Sequence, residues 1–87
     1  MDKTYRVAIE PGAWRQIMAL PADRQEQVLQ VIEGLEIDPR PSGCKKMQGS
    51  DSGWRVRSGD YRVVYNIVDD VLLVLVIKIG HRRDVYR

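Results

Sequence analysis

The apolar residues of this chain change their spacing at Gly53, and that change restricts the fold more than any other feature of the sequence. Before it, Val28, Val31, Ile32 and Leu35 recur at i, i+3, i+4 and i+7 among Arg, Gln and Glu, the stripe of an amphipathic helix. After it, Trp54 to Arg57, Tyr61 to Val68 and Val71 to Ile79 follow a period of two and are predicted strands. Short turns near Ser58-Gly59-Asp60 and at Asp69-Asp70 join them. Ahead of the helical stretch, Thr4 to Ile9 alternates with Tyr5, Val7 and Ile9 on one side, and Pro11-Gly12 ends this first strand. From Ala13, the spacing of Trp14, Ile17 and Met18 predicts a short helix with one buried stripe. Leu20-Pro21 breaks it and starts the longer helix, because the missing N–H of proline is not needed in a first turn. Asp38-Pro39-Arg40-Pro41-Ser42-Gly43 stops that helix, and the polar run to Gly53 reads as a loop with a short extended piece around Lys46-Met47.

The order is therefore strand, helix, helix, strand, strand, strand. The last strand is apolar on both alternating faces, Leu72, Val74 and Val76 on one and Leu73, Leu75 and Ile77 on the other, so it belongs inside the sheet. The expected fold is α+β: a twisted, mainly antiparallel four-stranded sheet with a helical hairpin on one face. The 87 residues suffice for one domain, residues 1–87. Cys44 is the single cysteine, so no intrachain disulfide forms, and a lone thiol with His81 does not make a zinc site. No secretory apolar segment opens the sequence and Lys78 interrupts its most apolar run, so a soluble, reducing, cytoplasmic setting is expected.

The net charge of +2 is unevenly spread: residues 1–53 hold seven Lys/Arg against eight Asp/Glu, residues 54–87 seven against four. A basic C-terminal part suits a polyanion. Strand parity sharpens this, because residues directly opposite in an antiparallel pair share a face. With a Ser58-Gly59 turn Arg55 faces Arg62; with a Gly59-Asp60 turn, glycine taking the first position of a type II′ turn, Arg57 faces Arg62. Either even-length loop puts Arg55, Arg57 and Arg62 on one face, and Trp54, Val56, Tyr61, Val63 and Tyr65 on the other. Only an odd-length loop with a bulge breaks the pattern. The large apolar side chains then seat the helices and leave the arginine face open. Two readings of that face stand: an anion site, since adjacent cations repel one another, or a solvated surface whose arginine stems cover apolar neighbours.

Counting an Asp69-Asp70 turn puts Ile77 opposite Arg62, so His81, Arg82, Arg83 and Tyr86 follow just past the cluster. Val64, Leu73 and Leu75 share the arginine face and are costly to leave in water, which predicts a partner segment over this surface or that of the helices. RNA is a phosphodiester that carries its own nucleophile, the 2′-OH. Its cleavage needs in-line placement, stabilisation of a charged phosphorane and two proton transfers, and demands no metal or other cofactor. Arginine forks onto phosphate oxygens and stays charged, which makes it a good stabiliser and a poor acid or base. Proton transfer then falls to Tyr86 or His81, and Tyr86 is equally suited to stacking on a base. Lys45 and Lys46, in the preceding loop, are candidate contacts to backbone phosphates.

Two stretches, Trp54-Arg55-Val56-Arg57-Ser58-Gly59-Asp60-Tyr61-Arg62-Val63-Val64-Tyr65 and Gly80-His81-Arg82-Arg83-Asp84-Val85-Tyr86, resemble the RelE-type toxins of the RelE/ParE toxin–antitoxin superfamily. Tyr5-Arg6-Val7, Leu20-Pro21, Leu35 through Asp38-Pro39-Arg40, and Lys46-Met47-Gln48-Gly49 extend the similarity over nearly the whole chain. The resemblance implies a ribosome-dependent endoribonuclease that cleaves mRNA in the ribosomal A site by 2′-OH attack and inhibits translation. It implies a cognate small RelB-like antitoxin, a toxin–antitoxin complex on operator DNA, and no membrane association. The family's two basic strand residues fall on Arg55 and Arg57, its central arginine on Arg62, its late arginine on Arg82 and its C-terminal tyrosine on Tyr86. Some members carry lysine at the first two positions; arginine here moves the proton-transfer role towards Tyr86 or His81. A ParE-like toxin that inhibits DNA gyrase and cleaves nothing is the alternative, and a degenerate toxin kept as a regulatory partner is a third.

Overall fold

The computed structural model describes residues 4–49 and 53–81. Five strands, β1 (Arg6–Ile9), β2 (Lys45–Lys46), β3 (Gly53–Ser58), β4 (Tyr61–Val68) and β5 (Leu73–His81), form one sheet in the order β1-β5-β4-β3-β2. All neighbours are antiparallel except β1 and β5, which run parallel with Val7 opposite Val74 and Ile9 opposite Val76. The α+β class and the mainly antiparallel sheet are as expected, and β5 lies inside the sheet. The strand count rises from four to five because the extended piece near Lys46 pairs with β3. Two helices, α1 (Pro11–Met18) and α2 (Ala22–Gly34), cover one face.

The core is the inward face of the sheet, with Val56, Val63, Tyr65, Ile67, Val74 and Val76, closed by Ala13 and Ile17 of α1 and Val28, Ile32 and Leu35 at α2. The stripe expected on α1 is turned. The helix begins at Pro11, whose fixed φ suits a first turn, and buries Ala13 and Ile17 while Trp14 and Met18 are 45% and 43% exposed. Its docking also serves the backbone. β1 ends at Ile9, opposite Val76, so the edge of β5 beyond it lacks a strand; there Gln16 Oε1 accepts the Ile79 N–H at 2.8 Å. Gln25 Nε2 donates to Leu20 O (2.9 Å) and Met18 O (3.1 Å), satisfying carbonyls left over where α1 ends.

The register between β4 and β5 differs from the expected one. Arg62 lies opposite Gly80, not Ile77. Two features move it. The connection is four residues, a 3₁₀ turn over Asp69–Val71 followed by Leu72 in the left-handed region (φ 51°), so Val68 meets Leu73. A bulge then follows: Tyr65 pairs with Val76 and Val64 with Lys78, leaving Ile77 as the extra residue. Past the bulge the faces of β5 exchange, so Lys78 and Gly80 lie on the arginine face.

Candidate nucleic-acid interface

The β3–β4 hairpin closes with Ser58 opposite Tyr61, which makes Gly59-Asp60 the two-residue turn and pairs Arg57 directly with Arg62. Gly59 has φ 61° and Asp60 does not share that sign, the type II′ pattern whose twist suits a tight hairpin. With the loop even, Arg55, Arg57 and Arg62 occupy one face, opposite the helices. The β2–β3 pairing then adds a fourth cation, because Lys45 lies opposite Arg55. Two rows run across the strands: Lys45, Arg55, Val64, Lys78, and beside it Arg57, Arg62, Gly80.

Between the rows is a hollow of about 300 Å³ lined by Gly43, Lys45, Arg55, Arg57 and Arg62, with no carboxylate among these. Its cations are graded in depth. Arg62 is only 7% exposed and its Nε is shut off from solvent, Arg55 is half-buried, and Arg57 is exposed. A guanidinium held this far out of water has few ways to reorient, so its charge has a fixed place beside the hollow. Four cations around one cavity produce a positive potential focused by the low-dielectric sheet beneath, a site for a phosphate or another multiply charged anion.

The other residues singled out by sequence separate into groups. Lys46 lies opposite Trp54 and alternates away from the cluster, although it borders a second hollow at the sheet edge. His81 lies opposite Tyr61, on the helix-bearing face; the two rings meet edge to face with centroids 5.5 Å apart. Arg82, Arg83 and Tyr86 lie outside the described residues.

Sequence reasoning missed the strap that carries β2 into the site. Arg40, read there as part of a helix stop and of the family resemblance, grips Asp69 with both guanidinium nitrogens (Nη2–Oδ2 2.9 Å, Nη1–Oδ1 3.3 Å) and lies 5.1 Å over the Trp54 ring. The Tyr5 hydroxyl donates to the same carboxylate at 2.7 Å. The Arg40 hydrogen bonds and that of Tyr5 hold the Asp69 carboxyl below its ordinary range; the Tyr5 hydroxyl is raised in turn, chiefly by its bond to Asp69. Deeper in, Tyr65 donates to Pro39 O at 2.8 Å. Burial, then the neighbouring Cys44, push the Tyr65 hydroxyl well above its usual range. Residues 38–44 are thus tied at both layers, and Cys44 leads directly into Lys45. The partners are separated by 26 and 29 residues, and no local spacing announces them.

The model of the "ParE toxin of type II toxin-antitoxin system, parDE" matches residues 6–86. The chain belongs to the RelE/ParE superfamily, and is a RelE-type toxin. It is 29% identical over 86 residues to the toxin candidate RelE1 of Methanocaldococcus jannaschii, covering 95% of this chain and 96% of that one. Its fold matches the RelE–RelB complex of Pyrococcus horikoshii with TM-score 0.82 and 28% identity, over 91% of this chain and 96% of that chain. The intact E. coli RelBE toxin–antitoxin complex gives 0.76 and 25%, over 88% and 95%. In this RelE-type toxin the cation hollow therefore sits on the sheet face that the helices leave uncovered, formed by its three consecutive strands β2, β3 and β4.

Proposed function

We infer that this type II toxin is a ribosome-dependent endoribonuclease that cuts mRNA in the ribosomal A site and so inhibits translation in the cytoplasm. The observation that carries the reading is the convergence of Lys45, Arg55, Arg57 and Arg62 on one hollow free of carboxylates among its lining residues. A scissile phosphate seated there meets Arg62 at depth and Arg57 and Arg55 above it. The 2′-OH loses its proton and attacks phosphorus in line with the P–O5′ bond, which breaks to leave a 2′,3′-cyclic phosphate and a reprotonated 5′-hydroxyl, and the negative charge that grows on the phosphorane is met by donors already fixed in place, each worth about 3–4 kcal/mol. The attack needs no metal, because the nucleophile belongs to the substrate. His81 faces Tyr61 across the sheet from the cluster, which favours Tyr86 as the group that moves a proton and Arg82 as a further cation near the phosphate. Arg83 and Lys46 then contact flanking phosphates. A RelB-like antitoxin neutralises the toxin, and the pair acts on its operator DNA.

Primer extension on an mRNA translated in a purified system tests this. Cuts should appear only when ribosomes are present and fall about 10²- to 10³-fold in Arg62→Ala. The matching ParE description favours a second reading, inhibition of DNA gyrase without nuclease activity. Gyrase inhibition together with intact mRNA would establish that reading and overturn the first.

A further inference from the structure

A second basic hollow adjoins the first. It measures about 420 Å³, is lined by Lys45, Lys46, Met47, Gln48 and Arg55, and shares Lys45 and Arg55 with the arginine hollow. The two lie side by side, with Lys45 of β2 and Arg55 of β3 bordering both and the second reaching the sheet edge at β2. Its outer wall is fixed by backbone bonding: Met47 N–H donates to Gly53 O at 2.9 Å, carrying the β2–β3 pairing one residue beyond Lys46. Gly49 then turns the chain with φ 77°, a conformation costly for residues with a Cβ. Met47 is half-buried, whereas Lys46 and Gln48 are exposed.

The two hollows differ in chemistry. The arginine hollow offers cations alone and recognises charge. The second offers a cation at its outer rim (Lys46), a soft apolar surface (Met47) and a carboxamide with both donors and an acceptor (Gln48). A nucleotide presents the complementary set: a phosphate, the flat face of a base, and a base edge with mixed donors and acceptors. An acidic peptide answers the cations but leaves Met47 and Gln48 unused.

We propose that the second hollow is a subsite for the nucleotide next to the one whose phosphate occupies the arginine hollow. Gln48 contacts its base edge, Met47 its base face and Lys46 its outer phosphate. The assignment rests on the RNA reading given above and makes the β2 edge an element of sequence preference. Its ligand is single-stranded RNA of two or more nucleotides.

The test is an NMR titration of the whole toxin with inorganic phosphate, then with 2′-O-methyl RNAs of one to four nucleotides, uncuttable because the attacking hydroxyl is blocked. Each RNA is made in four versions that differ at one base. Phosphate and the mononucleotide should shift the arginine signals alone, and RNAs of two or more nucleotides should shift Lys46, Met47 and Gln48 as well. Lys46→Ala should weaken all four versions equally, about threefold to tenfold, and lower the salt slope by about 1. Gln48→Ala should compress the affinity differences between bases. Both residues are exposed, so both variants keep the fold. The subsite is refuted if RNA binds through the arginines with unchanged affinity and base preference in both variants. It is equally refuted if an acidic peptide shifts residues 46–48 as strongly as RNA does. Failure of the parent reading looks different: no RNA of any length shifts the arginine signals beyond phosphate, which overturns both.

Discussion

Replacing Tyr65 by Phe removes one oxygen from the centre of the molecule and isolates the strap that delivers Lys45. The ring is completely buried and remains in place, so no cavity larger than a hydroxyl opens. What is lost is the 2.8 Å bond to Pro39 O, a buried residue to whose carbonyl no backbone N–H donates among the described residues. Leaving such an acceptor unsatisfied costs about 1–3 kcal/mol. At about 1.5 kcal/mol, a domain of this size loses roughly 6–12 °C in Tm. The pH dependence supplies a second, independent readout. Burial raises the Tyr65 hydroxyl, so its neutral form is the one the fold prefers. That contribution is complete below the unfolded value of about 10 and is lost as pH rises above it, because the unfolded chain ionises first. Thermal melts followed by circular dichroism between pH 7 and 11 should therefore show the wild type falling towards Tyr65→Phe, the gap narrowing above pH 10. Equal Tm values at neutral pH, or a gap that widens in alkali, refute the argument.

The acid side should respond to Asp69. Its carboxyl is lowered first by Arg40 and then by Tyr5, so its stabilisation is present above the ordinary carboxylate range and disappears as pH falls through the folded value. Urea melts of Asp69→Asn should lie below wild type at pH 6, and the gap should close as pH falls below the ordinary carboxylate range. Gly59→Val places a β-branched residue at φ 61° and should lower stability by about 1–2 kcal/mol, measured by the same melts, with Gly59→Asn milder. Single-turnover cleavage over a pH series should slow in Tyr86→Phe and hold within about threefold in His81→Ala, since His81 shares its face with Tyr61 rather than with Arg62. The reverse order assigns the proton to His81.

The parts of this fold that follow from strict periodicity were readable in the residues. Arg55, Arg57 and Arg62 share a face because the β3–β4 loop is even, and the choice between Ser58-Gly59 and Gly59-Asp60 did not affect that conclusion. On α1 the same kind of reasoning placed Ile17 correctly but took Trp14 and Met18, not Ala13, as its buried companions. Trp14 and Met18 are larger than Ala13, so side-chain size drew the prediction to them, whereas close approach of α1 to β5 requires the small residue inward. Lys45 joined the cluster through a two-residue strand that contains no alternation to detect. The strap residues Arg40, Asp69 and Tyr65 act through contacts distant in sequence, and their individual identities carry no periodic signal.

The bulge at Ile77 has the largest functional consequence of the features that periodicity conceals. An uninterrupted β5 keeps His81 on the same face as Leu73 and Leu75, the arginine face. One extra residue sends His81 to Tyr61 and brings Gly80 beside Arg62. The neighbour of the deepest cation is then a residue with no side chain, so nothing from β5 projects over the guanidinium at that position. Leu73 and Leu75 lie before the bulge, beside Arg6 and Ala8 of β1, and Lys78 lies after it, in the row that runs through Val64 and Arg55 to Lys45. A single inserted residue thus does two things: it clears the space above Arg62, and it puts Lys78 on the arginine face in place of Ile77 and Ile79. Both follow from alternation once the bulge is known, and neither follows from the amino-acid types alone.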